Sequence, residues 1–167
     1  MAVNQVSLFF YPPRWRQRVT AHPTARTDRG TPLHVADAVP IDSANAPVVL
    51  AVGLKAWLTE QGFAPAEWGE GSILQRGQVQ SIFGPEKEIE VSVGDEAGEV
   101  TELYIRFTLP RPTPPPLAEW AGFVAELGRR FHLRLGAGDI APCGETEFLA
   151  SVRGHHFYRA FAASFGW

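Results

Sequence analysis

Cys143 and the histidines His34, His132, His155 and His156 are the side chains from which a nucleophile and its base could be drawn. A thiolate needs a nearby imidazole or a helix N-terminus to lower its pKa. Cys143 stands just before a helix expected to begin near Glu145 and Thr146, so helix amides are within its reach. His155 and His156 lie about three turns further along, roughly 18 Å away at the helical rise. They cannot serve Cys143. His132 or His34 would have to fold over it, which spacing does not decide, and the ordinary reading of Cys143 is a buried thiol.

Carboxylates pair at Glu88/Glu90 and at Glu145/Glu147. The first pair shares a strand face, with Glu102 near it on the next strand. Such a trio fits general acid–base work, or a solvated face that discourages edge aggregation. No nucleophile or ligand set stands beside it, so a binding surface is the functional reading that remains. His155 and His156 are neighbours and point about 100° apart on a helix. No His-x-x-x-His, Cys-x-x-Cys or Asp-x-Asp-x-Asp pattern occurs, and we expect neither metal nor other cofactor. The phosphate-cradling Gly-x-Gly-x-x-Gly and Gly-x-x-x-x-Gly-Lys patterns are missing too. Arg14, Arg16 and Arg18 flank Trp15 and could meet an anionic partner. The isoelectric point of 5.9 argues against nucleic acid, and contact with the chain's own acidic sheet is the simpler expectation.

The elements that must position these groups are clearest from 100 to 135. Leu103, Ile105, Phe107 and Leu109 alternate with polar residues, as in a strand. Pro110 to Pro116 form a stiff bridge. It reads either as a polyproline ligand for an aromatic groove or as a spacer, and its short, structured setting favours the spacer. Leu117, Trp120, Phe123, Val124 and Leu127 then recur at helical spacing. A short strand is expected over 131–135, and a last helix from 145 to the C-terminus, weakened at Gly154 by ~1 kcal/mol. Upstream, strands are expected over 3–11, 79–83 and 88–93, the last with Glu88 and Glu90 on its polar face. A first helix is expected over 46–58. Asp42 or Ser43 caps it, and Gly62 with Phe63 ends it. Residues 14–32 read as loop, with a short strand possible over 32–36. The order is β-α-β-β-β-α-β-α: an α+β fold, a mainly antiparallel sheet of about four to six strands with about three helices packed on it.

At 167 residues one domain is expected, with an N-terminal strand and Arg/Pro-rich loop over 1–40 and the α+β core over 41–167. A single cysteine excludes an internal disulfide. The apolar run 6–11 is followed rather than preceded by basic residues, unlike a signal peptide. The run 46–54 falls far short of the ~20 residues of a membrane span. These features point to a cytoplasmic protein with no membrane partner. Thirteen of the fifteen basic residues are arginine, which fits a GC-rich bacterial genome. Residues 60–102 hold ten acidic and two basic residues, while both flanking blocks are net positive. An acidic patch follows if those charges share a sheet face.

Helix end Gly62-Phe63, the acidic meander, Glu102-Leu103-Tyr104-Ile105-Arg106, the helix with Phe123 and Leu127, Ile140-Ala141-Pro142 and the closing Phe148-Leu149-Ala150-Ser151-Val152 form a layout. Over about residues 40–165 this layout resembles small bacterial α+β proteins, some of which resemble immunity proteins of polymorphic toxin systems. The resemblance implies a protein that binds and neutralises a toxin, with no catalytic residue to carry over. The leading expectation is therefore a non-enzymatic binder of another protein through Glu88, Glu90, Glu102, Tyr104 and Arg106. The rival is a small-molecule binder or enzyme with a pocket between sheet and helices, lined by Trp57, Trp68, Trp120 and Tyr104. A third is a structural subunit of an assembly, which an exposed apolar patch would support.

Overall fold

Strand side chains alternate between two faces, so an apolar residue at every second place commits one face of a sheet to a core. The computed structural model describes residues 4–42, 45–63, 65–66, 81–83, 89–110, 112–136 and 142–167. Its elements in chain order are β1 (Gln5–Tyr11), β2 (Trp15–Arg26), β3 (Pro32–Pro40), α1 (Ala51–Glu60), β4 (Pro65–Ala66), β5 (Ser81–Phe83), β6 (Ile89–Glu96), β7 (Glu99–Thr108), α2 (Leu117–Phe131), β8 (Arg134–Leu135), α3 (Glu145–Gly154) and α4 (His156–Phe165). Six strands make an antiparallel sheet in the order β4-β5-β6-β7-β1-β8. The class is α+β, with the β5-β6-β7 meander as expected and four described helices in place of about three.

One face of the sheet carries Val91, Val93, Leu103, Ile105 and Phe107, all fully buried. They share a single core with Trp57 and Leu58 of α1, Trp120, Val124 and Leu127 of α2, and Phe148 and Val152 of α3. Phe107 sits at its centre, 5.0 Å from the Trp120 ring and 5.1 Å from Phe148. The chain segment entering α3 lies close against α2 at Gly128, where a side chain would meet the Cys143 backbone.

Four expectations are corrected. Residues 15–26 are not loop: β2 pairs with β3 in a two-stranded antiparallel ribbon separate from the main sheet. Its register shifts only after Ala21, next to Pro23, where the His22 ring accepts from the Ala25 amide at 2.9 Å. The first helix begins at Ala51 rather than near residue 46. The preceding segment instead pairs with the β6–β7 hairpin: Val100 N–H donates to Val49 C=O, and Ala51 N–H donates to Gly98 C=O. Ser43 lies outside the described residues. Its far end behaves as expected, with Gly62 at φ 84° and the Phe63 amide donating to Leu58. The strand expected over 131–135 keeps only Arg134 and Leu135, because Phe131 still belongs to α2 and His132 turns the chain at φ 55°.

The last helix breaks in two at Gly154–His155. His155 is extended and caps α4 through its ring nitrogen, which accepts from the Phe157 amide. The break stacks the His155 and His156 rings 4.7 Å apart, where a continuous helix would have splayed them. The proline bridge is held by its own chain: the Trp167 indole donates to Pro112 C=O at 2.9 Å.

Candidate binding surface

The second face of the sheet carries the predicted polar residues. Register places Glu90 opposite Arg106, Ser92 opposite Tyr104, and Gly94 opposite Glu102. Across β1, Ser7 faces Arg106 and Phe9 faces Tyr104. The structure thus brings Glu90, Glu102, Tyr104 and Arg106 onto one face, while Glu88 lies outside the described residues. Tyr104 packs its ring 4.7 Å from Phe9.

This face is less acidic and less open than the composition implied. Glu90 is ion-paired with Arg106, and their side chains are only 12% and 20% exposed. Glu102 is half-buried as well. Its carboxyl is held above the usual carboxylate range, first by burial and then by the Asp37 carboxylate. Asp37 comes from the ribbon, which is seated on this end of the sheet. Tyr11, fully buried there, has its hydroxyl pKa pushed up by burial and then by Glu102, with Gln17 working against the shift. The seat is pinned by Trp15, whose indole donates to Glu99 at 3.2 Å, and by Arg14, 3.5 Å from the same oxygen. Arg134 completes it by donating to the carbonyls of Pro12 and Trp15.

Asp37, Tyr11, Trp15 and Arg134 were not singled out as a group by sequence reasoning. The available signal was weak: Tyr11 ends one strand, Arg134 opens another, and Trp15 is a lone large ring among arginines.

The Glu102 environment makes stability depend on pH. Its folded pKa lies above the unfolded value, so between the two the native state binds more protons. The favourable contribution is complete below the unfolded pKa and is lost as pH rises through the folded one. Glu102→Gln should flatten that slope and unfold at higher urea than the wild-type chain above the window. Urea midpoints across a pH series check this, and an unchanged slope would assign it to another group.

The residues of the pocket reading do not converge. Trp57 and Trp120 are buried on the helical side, Tyr104 is on the opposite face, and Trp68 is outside the described residues. Cys143 is a buried thiol of the core, and its amide donates to Leu133 C=O at 2.7 Å. An open groove of about 290 Å³ is lined by Pro13, Pro47, His132, Arg134 and Pro142. Arg134 spends donors on the two carbonyls beside it, and His132 is the other polar side chain among the described residues that line the groove. Among the described residues no three His, Cys, Asp or Glu side chains group as a metal site. No helix there is long and apolar enough to cross a membrane. Comparison with known proteins finds no matching family model, curated sequence or solved structure.

Proposed function

We propose that this chain is a non-enzymatic protein-binding module, of the immunity type that neutralises a toxin by covering it. Its recognition surface runs from the sheet face with Glu90, Glu102, Tyr104 and Arg106 onto the β2–β3 ribbon. The observation that carries the reading is the ribbon. Its base, through Gln17 and Ala36 to Val39, is half-buried against the main sheet, and beyond it Arg18 to Ala21 and Leu33 to Val35 are exposed on both faces. Val19, Leu33 and Val35 are exposed along it. A two-stranded ribbon that buries neither face gains little stability for its own fold, and apolar side chains held out in solvent suit a partner. Tyr104 on Phe9 beside an ion pair supplies the aromatic and arginine chemistry enriched at the centres of interfaces.

Co-expression with the product of an adjacent toxin gene tests the reading. The chain should restore growth and co-purify with the toxin, and Tyr104→Ala should weaken the complex by about tenfold or more. A neighbourhood of metabolic genes whose products do not bind the chain would remove the proposal.

A further inference from the structure

We propose that the free edge of β2, residues 16–21, receives an extended strand of a partner protein with carboxylates at alternate positions. This rests on the protein-binding reading and names the partner chemistry for its ribbon.

The backbone argues for a strand. β2 pairs only with β3 among the described residues, and no described strand bonds the N–H and C=O groups on its other side over 16–21. Edge strands that must stay single are blunted by charged side chains, proline, bulges or short length; Arg16 and Arg18 therefore turn away most strands and admit one that brings opposite charge. Here seven successive residues, Trp15 to Ala21, keep regular register, and the irregularity at Pro23 begins only beyond them. Arg18, Val19, Thr20 and Ala21 are all exposed, on both faces. A third strand is also what a two-stranded ribbon lacks for independent stability.

Side chains argue for acid. Residues 14–40 carry five arginines against two aspartates. Arg16 faces Val39 and Arg18 faces Asp37 across the ribbon, so both arginines project from one face, two residues apart. The Arg18–Asp37 pair is 3.6 Å apart and solvent-exposed on both sides, and such a pair is weak enough to exchange. A strand added to β2 would set its side chains about 5 Å from those of β2, one carboxylate opposite each arginine. The residue between them would point to the other face opposite Gln17, and the residue beyond the second carboxylate would stand opposite Val19, which is 54% exposed. The fitting segment therefore alternates acidic and uncharged residues, with an apolar one opposite Val19. A second copy of this chain does not fit. Antiparallel pairing of β2 with β2 centred on residues 16 to 18 would set arginine against arginine, and like charges directly opposite destabilise a sheet.

The test is an amide NMR titration of the full chain with a short synthetic peptide alternating glutamate and valine, and with its lysine counterpart. The glutamate peptide should shift amides over 16–21 and weaken at least about tenfold when salt rises from about 0.05 to 0.5 M. The lysine peptide should leave the amides unmoved. Arg16→Glu with Arg18→Glu, both on the surface, should keep the dispersed spectrum and exchange the preference, losing the glutamate peptide and taking the lysine one. Equal binding of both peptides, shifts confined to the Tyr104 face, or no shift at millimolar peptide would overturn the inference. Self-association without peptide, or binding to a DNA duplex in place of the peptide, would overturn it as well. Toxin neutralisation that survives a failed titration removes only the strand docking. A bound peptide without neutralisation removes only the immunity reading.

Discussion

Gly128→Ala should destabilise the protein by about 2 kcal/mol, although alanine is the better helix former. Gly128 lies within α2 and is buried. On propensity alone the substitution would gain up to about 1 kcal/mol. A methyl group at this position, however, would overlap the carbonyl oxygen of Cys143 and stand 3.1 Å from its carbonyl carbon and amide nitrogen. The obstacle is backbone, pinned by the Cys143 amide on Leu133 C=O, so no side chain can swing aside. Overpacking of this kind costs about 1–3 kcal/mol, with rigid backbone at the upper end. That exceeds the propensity gain. Gly122 in the same helix is the control, because nothing lies within 4 Å of a side chain placed there. Gly122→Ala should therefore gain about 0.5–1 kcal/mol. Urea unfolding of both variants checks the pair: their midpoints should move in opposite directions. Equal stabilisation by both would mean that α2 and the α3 entry are further apart than they stand here.

The second expectation is a loss of about 3–5 kcal/mol on Trp120→Ala. The Trp120 side chain is 1% exposed and its ring is 5.0 Å from Phe107, which in turn packs on Phe148. Its removal takes away the ring that packs α2 onto Phe107 of the sheet, the residue on which Phe148 of α3 also rests. A loss this size is a large part of the 5–15 kcal/mol that holds a typical domain, and calorimetry should show it as a fall in Tm of roughly 2–4 °C per kcal/mol. Trp120→Phe keeps an aromatic ring in the site and should lose markedly less. The pair also separates two roles for the residue. A tryptophan lining an open ligand cavity would tolerate truncation with a loss below about 1 kcal/mol, whereas a core ring would not.

Much of the core was legible because it rests on short-range patterns that burial imposes directly. The strand through Ile105 and Phe107 alternates, since only one of its faces is covered. α2 repeats at three and four residues for the same reason, and Gly62 closes α1 with the positive φ its position requires. The ribbon was illegible on the same grounds. Alternation is a signature of one buried face, and β2 buries neither along most of its length, so its arginines, threonines and Pro23 looked like loop. The start of α1 failed differently. Residues 49–51 have helical spacing, but the tip of the β6–β7 hairpin, from Gly98 to Val100, claims their backbone groups first. Nothing local announces a competitor some fifty residues downstream.

For the candidate surface, sequence alone determined which residues share the outer face of β6 and β7, because strand parity decides it once the hairpin is recognised. Glu90, Glu102, Tyr104 and Arg106 needed no tertiary information to be grouped. Their charge state and freedom were decided only by the tertiary structure. Arg106 neutralises Glu90, Phe9 arrives from the N-terminus to pack on Tyr104, and the ribbon brings Asp37 over Glu102. A carboxylate's chemistry depends on its desolvation and on the charges around it. Those charges come from residues tens of positions away, so only the folded chain can specify them.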